Sequence, residues 1–395
     1  MQQVKVVGVG MTKFGKFLDR SIKDLGVEAV QAALADAGLK KEDLQAAFVG
    51  SAVMGLITGQ ECIRGQVILR HMGIGDIPVI NLENACASAS TAFHQAWMAI
   101  ASGLYDVVLA LGIEKLYHQD KAKSFNALAA AVDVEEHAQG SKAQEGGLPS
   151  RSMFMDLYAG LAIKHMEKYG TTREQFAKVA VKNHYNGCLN PHAQYQKECT
   201  VEEVLNSPLI VYPLTLLMCS PLGDGAAAAI LCSPQFAKRA SSKPINVAAT
   251  ILKSGMEGDI TTPSLIERAA RQAYEIAGLG AEDVNIAEVH DATTPAELFA
   301  YEDLDLCPKG EGGWLIDEGK TWLGGSIPVN TSGGLCAKGH PVGASGLAQI
   351  AEVVWQLRGH AGQRQVKGAK VGLTQNAGGW IGNDTAAGTV SIFTI

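Results

Sequence analysis

No apolar stretch of this 395-residue sequence runs far without a glycine or a charge, so none resembles a membrane span. Nor is there a basic tract. The formal net charge is −7, which argues against a nucleic-acid partner. The opening MQQVKVVGVGMTKFG lacks the apolar core of a signal peptide, and the closing TVSIFTI carries neither a peroxisomal tripeptide nor a prenylation motif. A cytoplasmic protein is the expectation. None of the eight cysteines falls in a CxxC pair, which speaks against a structural zinc site, and eight in so long a chain do not make a disulfide framework. Most should be small buried hydrophobes in a reducing compartment, with one or two left for chemistry, and no bound metal is expected. What is present is 47% hydrophobic and 18% charged residues, the balance of a soluble globular chain long enough for two to four domains.

The sequence repeats itself. AVQAALADAGLKKEDLQAAFVGS, starting at Ala29, matches AARQAYEIAGLGAEDVNIAEVHD, starting at Ala269, at a constant offset of 240 residues. Each reads as an amphipathic helix stopped at Gly38 or Gly278, an acidic turn and an apolar strand. Outward, VKVVGVGMTKFG pairs with INVAATILKSGM, and DVVLALGIEK with KVGLTQNAGG. Strands alternating with helices imply mixed or parallel sheets covered by helices, here as two copies of one α/β unit. The stretch 117–206 has no counterpart and reads as an inserted loop domain. The halves are then 1–116 with 207–243, and 244–395.

Four segments could carry chemistry. In IPVINLENACASAS an apolar strand runs into small residues, and Cys86 opens a helix. A thiol there faces the positive end of the helix dipole, a placement that can bring its pKa into the range of about 3.5–7.5. In NTSGGLCAKGHPVGASG, glycines on either side of His340 permit a tight turn and close approach to a ligand, and Pro341 favours a helix start. Such a histidine can take a thiol proton and later donate to an oxyanion. In EVHDATTPAEL, His290 ends a strand that the repeat puts at the sheet's carboxyl edge, while Asp291 and Thr293 also suit a helix cap. Last, the glycines of TQNAGGWIGND follow a strand and can offer backbone amides to an anionic oxygen.

With these segments in view, the chain resembles the thiolase superfamily along nearly its whole length. CAS at Cys86 looks like the nucleophile motif and GHPVGASG like the activating-histidine motif; HD at His290–Asp291 and AYEDLDLCPKGEGG resemble the thiolases named after sterol carrier protein 2. WQLRGHAGQRQVKGAKVGLTQNAGG is similar to members that work with a small OB-fold, zinc-ribbon acyl-CoA partner. The resemblance implies the thiolase fold, an α/β architecture of two repeated halves packed as a five-layered α-β-α-β-α core with an inserted loop domain. It implies a homodimer core, no permanently bound cofactor, and coenzyme A as cosubstrate. His340 would deprotonate Cys86, which would attack a 3-oxoacyl-CoA. His290 and His340 would share one oxyanion hole, and the amides of Cys86 and Gly379 would form a second.

One departure stands out. Most thiolases carry a second cysteine as acid/base, in a late CxG motif or directly after HD; here those places read Asn376-Ala377-Gly378 and Ala292. Cys336 and Asn376 are auxiliary candidates, and His290, or a water it holds, is the favoured substitute. Degradative thiolysis is the leading expectation, on a bulky aromatic or branched acyl group, with benzoylsuccinyl-CoA as the specific candidate. A thiolase-fold aldolase and a non-catalytic acyl-CoA-binding scaffold are the competing readings.

Overall fold

The computed structural model describes residues 2–136, 151–258 and 262–395. Part of the stretch read as an insertion, residues 137–150, therefore lies outside the described residues. The first half runs β1 (Lys5–Met11), α1 (Ile22–Ala37), β2 (Ala46–Gly50), α2 (Met54–Thr58), α3 (Arg64–His71), β3 (Val79–Leu82), α4 (Ser88–Ala101) and β4 (Val107–Glu114). Then come α5 (Lys121–Leu128), α6 (Met153–Tyr169), α7 (Arg173–Cys188), α8 (Val201–Asn206) and a small hairpin, β5 (Leu209–Val211) with β6 (Leu214–Thr215). The chain returns to the sheet in β7 (Gly225–Cys232), followed by α9 (Pro234–Ala237). The second half is β8 (Ile245–Ser254), α10 (Leu265–Ala277), β9 (Ile286–Glu288), α11 (Thr294–Asp303), α12 (Gly312–Asp317), α13 (Ser345–Arg358), β10 (Val371–Ile381) and β11 (Asp384–Thr394).

The strand order β3-β2-β4-β7-β1-β8-β11-β10-β9 contains the repeat. In both halves an antiparallel trio (β4-β7-β1, β10-β11-β8) continues into a parallel pair (β2 on β4, β9 on β10). Even β3 has a shadow, a parallel bridge from Ala287 to Val329. The halves meet where β1 and β8 pair antiparallel through only Lys5–Asn246 and Val6–Ile245. The helix stops fall where the repeat predicts them, with Gly38 and Gly278 both at φ 66° as the left-handed caps of α1 and α10.

Alternation along the strands explains the layers. In β4, Val107, Leu109, Leu111 and Ile113 join the core under α1, while Val108 and Ala110 face the central core with Phe93, Leu347 and Phe393. The helices α4 and α13 touch each other and strands of both halves. They form the middle layer, with α1 outside one sheet half and α10 outside the other, five layers in all. Both middle helices begin at the same end of the molecule as the loops that follow β9 and β10.

Candidate active site

Cys86 does not open α4. It sits one step earlier, in a 3₁₀ turn (Ala85–Ala87), and the α-helix starts at Ser88. The turn is strained at Ala85, whose φ is +48°, and is held by polar side chains: the Asn84 amide N–H donates to Ser88 Oγ (2.9 Å) and Asn84 Nδ2 to Thr91 Oγ1 (2.9 Å). Strand β10 presses on it so closely that a Cβ on Gly378 would lie 2.3 Å from Asn84 O and 2.5 Å from Ala87 N. The sequence reading had the glycine pair presenting amides, and the structure adds that Gly378 makes room for the nucleophile turn.

His340 follows a one-turn π-helix, Gly334–Lys338, flanked by Gly333 (φ 98°) and Gly339 (φ 107°), conformations that exclude a side chain. Pro341 heads a further turn rather than the helix itself, which begins at Ser345. Asp291 anchors the π-turn by accepting from the amides of Leu335 (2.6 Å) and Cys336 (3.2 Å), and Lys338 pairs with Glu288 at 3.4 Å. Asp291 is therefore no helix cap. Thr293 occupies the N-cap position of α11 without a side-chain cap bond.

The three candidates converge. One ligand atom each of Cys86, His290 and His340 lie within 4.8 Å of one another, and the two imidazoles meet edge to face with centroids 5.0 Å apart. They open onto a cavity of about 300 Å³. Lys16 and Lys121, both exposed, lie at its rim with Arg151, and Phe125, Phe154, Tyr195 and Trp380 supply aromatic wall. Two imidazoles and a thiol are also a plausible set of donors for zinc, and this trio could capture one.

Hydrogen bonds set the tautomers. Ser345 Oγ gives its only proton to Pro341 O (3.0 Å), so at 2.8 Å it must accept from His340 Nδ1–H, leaving Nε2 as a base. Ser90 Oγ lies 3.0 Å from both Ala87 O and Asn376 Oδ1 and shares its one proton between them, while Asn376 Nδ2 donates to His290 Nδ1 (3.1 Å), an arrangement that keeps the His290 proton on Nε2. Burial holds His290 down to about 4, and burial with the neighbouring His290 holds His340 well below the usual imidazole range, so both are neutral at pH 7.

The thiol behaves against expectation. Although Cys86 opens into the cavity, protein surrounds it. Burial first and the Glu114 carboxylate second push it up to about 12, outweighing the amides of Cys86 and Gly379 that favour the thiolate. A helix start gives too little when desolvation and a nearby carboxylate oppose it. Resting Cys86 is a thiol beside a neutral imidazole, so a reaction at its sulfur would need the Sγ–H proton to move to Nε2. Glu114 itself, at the end of β4, takes the Ala52, Val53 and Gly343 amides on Oε2, finds no partner for Oε1 among the described residues, and is pushed by burial up to about 7. Sequence reasoning passed over it, although a lone acid ending an apolar strand was the available signal. Ser345 and Ser90 looked like small helix residues and gave none. Of the auxiliary candidates, Asn376 touches His290, whereas Cys336 does not line the cavity and donates its thiol to Asp291 O at 3.2 Å.

The family description "Thiolase, N-terminal domain" matches residues 4–235, and "Thiolase C-terminal domain-like" matches 247–389. The acetyl-CoA acetyltransferase of Methanothermobacter thermautotrophicus is 45% identical, over 96% of this chain and 97% of its own. Benzoylsuccinyl-CoA thiolase subunit BbsB of Thauera aromatica is 37% identical, over 96% and 95%. Among solved structures, the Ltp2-ChsH2(DUF35) aldolase superposes with a TM-score of 0.79 at 27% identity, covering 99% of this chain and 97% of that one. Matched by both thiolase family models across its two halves, the chain belongs to the thiolase family and is an acyltransferase acting on coenzyme A thioesters.

Proposed function

We propose that the protein cleaves a 3-oxoacyl-CoA by thiolysis through an acyl-Cys86 intermediate. His340 Nε2 takes the Cys86 proton as the sulfur attacks the keto carbon, and His290 Nε2–H with the His340 imidazolium stabilises the oxygen that gains charge. The C2–C3 bond breaks, an acyl-CoA leaves, and coenzyme A thiolate then removes the acyl group while the amides of Cys86 and Gly379 hold its oxygen. The observation that carries this reading is the convergence of both imidazoles and both amides on one sulfur.

An aromatic acyl group, as in benzoylsuccinyl-CoA, is the substrate class we favour, in a degradative direction. Phe125, Phe154, Tyr195 and Trp380 along the cavity support it, as does the likeness to the BbsB subunit. Lys16, Lys121 and Arg151 at the rim suit the phosphates of coenzyme A. A homodimer through β3 is supported by that strand's position at the sheet edge, with Ile80 exposed, and a small OB-fold, zinc-ribbon partner by relatives that are themselves subunits or complexes. Eight free cysteines suit a cytoplasmic setting.

The test is acylation. The purified chain, with any co-purifying small subunit, is mixed with acetyl-, succinyl- and benzoyl-CoA and weighed intact. A covalent acyl group on wild-type protein and none on Cys86→Ala is the expected result. A folded protein that no acyl-CoA labels would refute covalent catalysis.

A further inference from the structure

Cleavage leaves an electron pair on C2 of the departing acyl-CoA, and a proton must reach that carbon, one bond away from the atom bound to Cys86 Sγ. Neither usual position supplies a thiol, since Ala292 and the Asn376-Ala377-Gly378 run have none. Cys336 is turned to Asp291 O, and Cys219, which does line the cavity, is turned to Thr215 O at 3.4 Å. His290 fails for a different reason. Its Nδ1 accepts from Asn376, so giving up the Nε2 proton would leave a buried imidazolate anion. It can donate a hydrogen bond, but it is a poor proton source.

We propose that Tyr158 is the second acid/base, protonating C2 of the leaving acyl-CoA and then taking the thiol proton of the incoming coenzyme A. This rests on the acyl-Cys86 reading above. Tyr158 lies on α6 and lines both the 300 Å³ cavity that holds Cys86, His290 and His340 and a second cavity of about 520 Å³ that meets it at His290. Its hydroxyl has no hydrogen-bond partner among the described residues and is free to meet a substrate in the cavity. Burial, and then the nearness of Cys86 and Asp291, hold the phenol well above its ordinary value. The hydroxyl is therefore a neutral donor at physiological pH, and its phenolate is basic enough to take a thiol proton.

The protons balance over the two steps. In the first, the Cys86 proton moves to His340 Nε2, sulfur bonds to C3, the C2–C3 pair goes to C2, and the Tyr158 O–H proton follows it. In the second, Tyr158 phenolate takes the coenzyme A proton, and the new thiolate bonds to the acyl carbon. Cys86 leaves and recovers its proton from His340. Nothing beyond the two substrates is consumed.

The experiment separates proton transfer to carbon from acylation. Wild type, Tyr158→Phe and Cys219→Ala are each given acetyl-CoA or succinyl-CoA in D₂O. C2 deuterium is followed by mass spectrometry beside acyl-Cys86 formation. Phenylalanine removes only an unbonded oxygen, so folding is preserved, and equal melting temperatures check this. Acylation by an acyl-CoA runs the second step backwards, with Tyr158 protonating the departing coenzyme A, but a thiolate can also leave unprotonated. We therefore expect Tyr158→Phe to acylate more slowly by up to about tenfold and to lose roughly 100-fold or more of its C2 exchange, with Cys219→Ala unaffected. Unchanged exchange in Tyr158→Phe overturns the assignment in favour of His340 or Cys219, the latter if Cys219→Ala is the variant that loses it. Loss of exchange and acylation by the same factor makes the phenol a binding group and overturns it equally. A wild type that acylates without any exchange refutes it as well, and only a wild type that never acylates counts against the thiolase reading itself.

Discussion

Replacing Ser345 with alanine tests the claim that one hydroxyl chooses the catalytic tautomer. Ser345 is fully buried, and its Oγ receives His340 Nδ1–H at 2.8 Å while giving its own proton to Pro341 O at 3.0 Å. Without it, the productive tautomer keeps a buried N–H with nothing to bond, which costs about 1–3 kcal/mol. The ring can escape that cost by moving its proton to Nε2, where it can no longer accept from Cys86. Either way the competent form is disfavoured by that amount, which corresponds to about a 5- to 150-fold slower acylation of Cys86. Rapid-quench mass spectrometry with a labelling acyl-CoA measures the rate, and its concentration dependence measures binding. The rate should fall while apparent affinity stays within about twofold. The melting temperature should also hardly move, because the only other bond lost is one back-bond within the first turn. A variant that acylates within twofold of wild type would refute the tautomer argument. A parallel loss of affinity and stability would assign Ser345 a packing role.

Further expectations follow from the neighbours of the triad. Glu114, raised in the folded protein to about 7, is protonated there at pH values where the unfolded chain has already ionised it, so stability falls as pH rises from about 4.5 through 7. Glu114→Gln should remove up to about 3 kcal/mol of that fall in denaturant titrations, and should speed iodoacetamide alkylation of Cys86 above pH 7. A wild-type pH slope in the variant would contradict this. Gly378→Ala places a methyl against Asn84 O and Ala87 N, backbone atoms that cannot swing aside, so acylation should drop at least about tenfold with a lower melting temperature. Normal activity would show that the turn is soft. Asp291→Ala strands the Leu335 and Cys336 amides and should cost about 2–6 kcal/mol by urea unfolding; less than 1 kcal/mol would mean that water replaces the carboxylate. Finally, excess Zn²⁺ should inhibit reversibly by taking Cys86, His290 and His340, with EDTA restoring activity. Failure of zinc to slow Cys86 alkylation would refute that capture.

The fold was readable where it is periodic. An offset of 240 residues located β1 against β8, α1 against α10 and β2 against β9, and it put glycine at both helix stops because only glycine accepts φ near +66° cheaply. The seam between β1 and β8 was not readable, since two residue pairs leave no pattern in either strand. At the site, Cys86 and His340 stood out through the small residues and glycines around them, and His290 through its place at the end of a strand that the repeat locates. Their protonation did not. The sequence places Cys86 beside a helix dipole, but only the packed structure brings Glu114, 28 residues later, beneath the same sulfur and removes water from it. Ser345 and Tyr158 were missed for a related reason. A serine in a helix and a tyrosine in an insertion acquire meaning from what lies across the gap.

The repeat has a consequence for how such a centre could arise. Cys86 precedes α4 and His340 precedes α13, the corresponding helices of the two copies, so the proposed nucleophile and base occupy equivalent loops of the repeat. Neither copy holds a working pair alone. Each loop can therefore carry a different side chain while the shared middle layer keeps both aimed at one point, and a chain cut between β7 and β8 should recover activity only when its two pieces are mixed.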